Sequence, residues 1–435
     1  MKISVKNIGK LKNATVEING ITVIAGENDT GKSTVGKALF GVFNGFFDIK
    51  QQISKERAKN LAEIIVDIVA SFEDNLQIPM DYYEESIFEY LLENEDILDG
   101  IIDAAASNHD VLINMLNEVI LACNDEFDFD EAANLAFETI PESLFESLKG
   151  GFKVSDDAIL SELLRLRILD EFNGQANNIY TDTPGEITLT IKNKPLCIKI
   201  QENRVIALND KLNLKTEAIY IDDPFLIDAV IKNMAAGFIK PFYNHRSHLM
   251  RKLSAAGEPS NVVNDIIVTE KFGEFFKKTG DDFSKYVMPR RSRLGNRGNK
   301  NETLDIRNLS TGMKTFLIIK TLLTSGAIKS NGTLILDEPE IHLHPEWQLL
   351  FAELIVLIQK EFGVHILLNT HSPYFLRAIQ VYAANHKIAD KCKYYLSELG
   401  EDGAYINDVS DDIEKIYKKL ASPFQRLDDE RWLDD

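Results

Sequence analysis

Residues Gly26 to Ser33, GENDTGKS, constrain the fold of this chain more than any other stretch. They match G-x-x-x-x-G-K-[ST] in full, and the flanks are the ones the pattern needs. An apolar, β-branched run (ITVIA) comes before, and a helical periodicity follows from Ser33 to about Phe47. Such a loop wraps an anion: glycines let the backbone approach it, amide N–H groups point at it, and the helix N-terminus stabilises it. Gly26, Asn28, Asp29, Thr30, Gly31, Lys32, Ser33 and Thr34 are therefore the candidate phosphate-binding residues. Lys32 would reach the outer phosphates, and the Ser33 hydroxyl would ligate Mg2+.

A second acidic stretch, DEPEIHLHPEW from Asp337, brings Asp337, Glu338, Glu340, His342 and His344 together. Two readings are open: a nuclease metal site, or the hydrolytic edge of a nucleotide-driven machine. An H-x-H pair supplies two ligands at most, and no third stands at a sensible spacing. The apolar strand TLIL directly precedes Asp337-Glu338, and an apolar strand ending in two acids is what a phosphate loop needs as its second half. Asp337 would then hold Mg2+ through its water shell, and Glu338 would orient and polarise the attacking water. Ser310, in LSTGMK, is a natural N-cap, so its hydroxyl and the next amides face an incoming anion. His371, in NTHSP, follows the buried strand VHILLNT, at a strand end of the kind where open α/β sheets bind ligands.

Around these motifs the pattern divides the chain. Residues 1–47 read as strands, the loop and a helix; 48–175 as five or six amphipathic helices; 176–221 as β-rich, with Lys194-Pro195 as a hairpin turn. Residues 222–300 read as helical and end in the basic loop PRRSRLGNRGNK. The stretch 301–385 alternates helix and strand, which implies a parallel sheet, and 386–435 forms a short α/β extension. No heptad pattern persists over three or four repeats, so no long coiled coil is expected.

Charge narrows the partners. The net charge is −20, yet Asp81–Leu148 alone holds 19 Asp and Glu and no Lys or Arg, which leaves −1 for the rest of the chain. That helical block would repel DNA and suit a basic partner protein, or it is a solvated face over an ordinary core. The loop carrying Arg290, Arg291, Arg293 and Arg297 is the opposite case: a DNA phosphate contact, a nucleotide-sensing loop or a solvated one. No apolar run approaches the roughly 20 residues of a bilayer helix, and the N-terminus has no apolar signal core. Three scattered cysteines fit a reducing cytoplasm.

The order GENDTGKST, LSTGMK, LILDEPE, NTHSP resembles the ABC-type ATPases, and more closely their RecF/SMC/OLD branch of the AAA class, over about 1–47 and 216–385. The resemblance implies an α/β P-loop NTPase head with a mixed sheet, an antiparallel β subdomain and a large helical insertion. It implies ATP and Mg2+ as cofactors and a head-to-tail dimer in which Ser310 and Gly312 of one copy face the P-loop of the other. Glu338 would be the catalytic base and His371 the γ-phosphate contact. Ile341–His344 would touch the partner subunit, making His342 and His344 dimer-face or packing residues. Thr311 and Met313 depart from the usual signature, so turnover is expected to be slow; Gln51 or Gln52 is the only glutamine offered for the metal-linking position. Only 64 residues follow His371, too few for a nuclease domain. The functional expectation is an ATPase that controls a separately encoded effector, a nuclease or toxin, in bacterial antiphage defence of the Septu or PARIS kind. The alternatives are a RecF-like DNA-repair ATPase and a nucleotide-gated scaffold.

Overall fold

The computed structural model describes residues 1–72, 80–107, 109–125, 142–209, 211–230, 243–255, 262–278 and 306–431. The basic loop with Arg290, Arg291, Arg293 and Arg297 lies outside the described residues. The chain forms two compact units, one of Met1–Phe47 with Leu164–Asp435 and one of Asp48–Leu163.

The first unit is built on one eleven-stranded sheet of order β6-β5-β4-β1-β2-β11-β10-β3-β9-β8-β7. Strands β1 (Lys2–Ile8), β2 (Leu11–Glu17), β4 (Gly185–Ile191), β5 (Lys194–Gln201) and β6 (Arg204–Leu208) form its antiparallel part. Strands β3 (Ile21–Gly26), β9 (His365–Thr370), β8 (Thr333–Asp337) and β7 (Ala218–Ile221) form a parallel part, joined through β10 (Cys392–Gly400) to the hairpin partner β11 (Gly403–Asp408). The two parts differ in sequence as their burial requires. β1 and β2 alternate buried and less buried residues, whereas β3 and β7 are buried throughout, as strands covered on both faces must be.

One face of the parallel part packs Ile21, Val23, Leu334, Leu336, Ile366 and Leu368 against α10 (Thr311–Thr324), α11 (Pro345–Phe362) and α12 (Pro373–Asn385), which contribute Phe316, Phe351 and Phe375. The other face meets α1 (Lys32–Gly45). The remaining helices of this unit are α8 (His245–Ala255), α9 (Val262–Lys278) and α13 (Glu414–Arg431).

The second unit contains α2 (Ile49–Phe72), α3 (Met80–Glu93), α4 (Glu95–Ser107), α5 (His109–Asp125), α6 (Glu142–Phe152) and the first half of α7 (Asp156–Glu171). It has its own core, with Ile65, Ile87, Leu91, Ile101, Leu116 and Ile120 fully buried. Among the described residues, Glu85, Glu89, Glu95, Asp99, Asp110 and Glu118 are exposed on its surface. The 24-residue α2 is the longest described helix; none forms a long coiled-coil arm, and none is long and apolar enough to cross a membrane.

Two details differ from the sequence reading. The helical stretch read over 48–175 runs to Glu171, and within it the compact helical unit ends at Leu163, after which Leu164 and Ile168 of α7 pack beneath Gly45 and Gly41 of α1. The β4–β5 turn falls on Lys192-Asn193, not Lys194-Pro195. Both turn residues have positive φ (48° and 64°), the two-residue turn whose twist matches a hairpin. Pro195 lies in β5 opposite Thr190.

Candidate nucleotide site

The loop between β3 and α1 curls because Gly31 adopts φ 84°, a left-handed conformation that costs a glycine nothing. A Cβ there would also fall 2.8 Å from Leu11 Cδ2. Thr30 Oγ1 donates to Glu27 O at 2.8 Å, and Thr30 O accepts from Ser397 Oγ of β10 at 2.6 Å. The loop rims a cavity of ≈ 760 Å³, within the range of about 300–1,000 Å³ usual for ligand sites. Asn28, Asp29, Gly31, Lys32, Ser33 and Thr34 line it, as do Asp337 and Glu338 from the end of β8. Gly26 and Thr30 are buried beneath it.

Lys32 is only 3% exposed in its side chain. Its Nζ donates to Gly26 O (3.1 Å) and Glu27 O (2.7 Å) and lies 3.4 Å from Glu338 Oε1. The same oxygen lies 3.4 Å from His371 Nδ1. Glu338 thus stands between two cationic groups. The ion pair with His371, helped by the charge of Lys32, holds its carboxyl below the usual range; Glu338 in turn raises His371. Glu338 has φ 49°, a strained backbone for a residue with a side chain, and its N–H is held by Asn369 O at 2.9 Å. A non-glycine residue kept in this conformation at a strand end is a recurrent mark of a working site.

Asp337 accepts on both oxygens: Oδ2 from Tyr220 Oη at 2.7 Å, and Oδ1 from Asn369 Nδ2 at 2.9 Å. Burial and the nearby Asp337 charge push the Tyr220 phenol well above its ordinary range, so it is the donor. Hard oxygen donors, the Ser33 hydroxyl with the Asp337 carboxylate, suit Mg2+ rather than a soft or nitrogen-seeking metal. Each Asp337 oxygen takes one protein hydrogen bond, which leaves a lone pair on each for the ion or for its water.

The buried Glu340 ties the two motif loops together. Its Oε1 accepts from Thr370 Oγ1 and from His371 N, the latter at 3.3 Å, and burial raises its carboxyl. Ser310 caps α10, accepting from Met313 N at 3.4 Å, and is exposed; Gly312 is buried against Leu343. Neither lines the cavity. Ile341 is exposed at the cavity wall, His342 packs edge-on to Phe225, and His344 is the N-cap residue of α11. Gln51 and Gln52 lie in α2 of the helical unit; the glutamine lining the cavity is Gln175.

Sequence reasoning passed over Tyr220, Asp222, Gln175 and Asn369. A signal for two of them was present: AIYIDD repeats the form of TLILDE, an apolar strand closing on two acids. Asp222 lines the cavity beside Asp337 as a result.

This loop, acid pair and sheet order define a P-loop nucleotide-binding ATPase. A family model for the AAA ATPase domain (AAA_15) matches residues 1–376, and the chain belongs to that family. Among solved structures, the SMC head domain from Thermotoga maritima is similar at 9% identity and TM-score 0.34, covering 94% of this chain and 98% of that one. An SMC head bound to the C-winged helix domain of ScpA is similar at 10% identity and TM-score 0.37, covering 94% and 96%. The Pyrococcus furiosus SMC head with an extended coiled coil, bound to the C-terminal domain of ScpA, is similar at 12% and 0.30, covering 97% and 98%.

Proposed function

We propose that this ATPase hydrolyses Mg·ATP with Glu338 as the base and closes head-to-tail with a second copy of itself to do so. The observation that carries the reading is the convergence of Lys32 Nζ and His371 Nδ1 on Glu338 Oε1, each at 3.4 Å, at the wall of the phosphate-loop cavity. A γ-phosphate entering the loop competes with Glu338 for Lys32, because both are anions. Glu338 released from Lys32 is an ionised acceptor free to take a proton from water, and His371 remains beside it as a donor to phosphate oxygen. Ser33 and Asp337 would hold Mg2+, which would supply neutralisation of the phosphate charge.

Ser310, at the α10 N-terminus, supports the dimer reading. Ser310 is exposed and away from the chain's own cavity, so its O–H, whose oxygen accepts from Met313 N–H, is open to donate to the phosphate of another copy. With Thr311 and Met313 in place of the commoner signature residues, turnover is slow. We place the cycle in control of a separately encoded effector in antiphage defence. The acidic helical unit, with no Lys or Arg between Asp81 and Leu148, suits a basic partner surface.

Glu338→Gln decides the catalytic part. It retains ATP binding and loses phosphate release by about 100-fold or more; hydrolysis at the wild-type rate removes Glu338 from the role. For the effector, the native complex purified with and without ATP identifies any nucleotide-dependent partner by mass. Recovery of the chain with only itself under both conditions rejects an effector.

A further inference from the structure

Behind the nucleotide site lies a buried polar cluster that belongs to none of the sequence motifs. His245, the first residue of α8, has its ring between two carboxylates: Nδ1 is 2.6 Å from Glu171 Oε1, and Nε2 is 3.1 Å from Asp222 Oδ2. Glu171 Oε2 also accepts the His245 backbone N–H at 2.9 Å, and Arg246 donates twice to Asp222 Oδ2, at 2.9 and 2.7 Å. Nδ1 bonds to Glu171, and Nε2 faces Asp222 within ion-pair distance without a hydrogen bond of its own; a ring flanked by two carboxylates is favoured in its cationic form. Burial opposes that charge, but the two carboxylates outweigh it and raise His245 to about 9.

The ring is not isolated. It stacks on Tyr220 with centroids 4.2 Å apart and planes 23° apart, and Phe40 of α1 meets both rings edge-on. Tyr220 Oη donates to Asp337 Oδ2 at 2.7 Å. Gly36 of α1 leaves room for this: a Cβ there would sit 3.2 Å from Tyr220 Oη. A cation over the Tyr220 ring face is attracted to it, which fixes the phenol plane and with it the direction of its hydroxyl.

We infer that His245, clamped between Glu171 and Asp222, is a positioning residue for the nucleotide site. It acts by stacking on Tyr220, whose hydroxyl in turn orients the Asp337 carboxylate toward the metal's water shell. The inference rests on the proposed function only in taking Asp337 to face Mg2+. Partners of this kind, one step removed from the ion, typically change metal affinity by 10- to 100-fold when lost.

The test measures metal binding directly. Mn2+ affinity is read by electron paramagnetic resonance on the full-length chain with a non-hydrolysable ATP analogue, for wild type, Tyr220→Phe, His245→Gln and the double variant. Tyr220→Phe keeps the stack and loses only the hydroxyl; His245→Gln keeps a donor to Glu171 and loses the stack. Each is expected to weaken Mn2+ binding about tenfold. Analogue affinity in EDTA should stay at the wild-type value, which a merely structural defect would not leave intact. The double variant should be no weaker than the weaker single one, because both act through the same carboxylate. Wild-type Mn2+ affinity in Tyr220→Phe overturns the inference whether or not His245→Gln folds; additive losses overturn the route through Tyr220. Asp337→Asn separates the two levels: if it binds Mn2+ as wild type does, the metal-facing role of Asp337 fails first.

Discussion

Glu338 and His371 form one ion pair whose two members shift in opposite directions, and this sets the pH behaviour of the site. Glu338 is held low by the ion pair with His371, so the base stays ionised through neutral pH and is lost only in acid. His371 is raised by Glu338, so it keeps its proton above the ordinary 6.5 and loses it as the pH climbs past its raised value. The kcat profile is therefore expected to fall on the alkaline side as His371 loses its proton, and in acid as Glu338 gains one. His371→Gln should remove that alkaline fall; a profile unchanged by the substitution would separate His371 from it. His245 makes a stability prediction. Its folded value of about 9 exceeds the unfolded 6.5, so its contribution is complete below pH 6.5 and disappears as pH rises through 9. The rise corresponds to on the order of 3 kcal/mol. Urea unfolding followed from pH 6 to 10 should show that decline in wild type and a much shallower one in His245→Gln.

Among the elements, the C-terminal β10–β11 hairpin does more than extend the sheet. Gly26 lies so close to β10 that a Cβ would fall 2.3 Å from Ser397 O, and the Ser397 hydroxyl holds Thr30 O from the same side. The phosphate loop is thus shaped by a strand whose Ser397 stands 367 residues after Thr30 in the chain. Gly26→Ala should push the loop off this support. Overpacking of that sort costs about 1–3 kcal/mol, a roughly 5- to 150-fold loss in ATP affinity if it falls on the bound state. Fluorescent-nucleotide titration checks it, and wild-type affinity would mean that the loop does not depend on β10.

At the scale of the whole molecule, the two units have separate cores, and the excision points are adjacent: Gly45 packs directly against Leu164. Replacing Asp48–Leu163 with a short Gly/Ser linker should therefore leave a folded chain that binds ATP; an insoluble product or one without nucleotide affinity would contradict independent folding. The dimer has a complementation test. Lys32→Ala removes one half-site and Ser310→Arg the other, so each variant alone should be inactive. Mixed, they should regain hydrolysis, because a mixed pair contains one intact composite site. A mixture as inactive as its components would count against sharing between copies.

The loop, the acid pair and the alternating elements around them were legible in the amino-acid sequence, because each depends on local chemistry: glycine at a positive φ, a hydroxyl beside an amide, apolar residues at a strand's period. Ser310 as a cap and His371 at a strand end follow from the same short-range rules. The turn at Lys192-Asn193 escaped because proline is a strong turn signal, and here it starts a strand instead. Glu171 and His245 were not legible at all, and Tyr220 and Asp222 only through the likeness of AIYIDD to TLILDE. The four are spread over three segments, and their charges make sense only once burial and neighbours are known. Short-range physics wrote the phosphate loop into the sequence; folding alone could decide which distant carboxylates, rings and strands surround it, since those contacts exist only when the sheet brings them together.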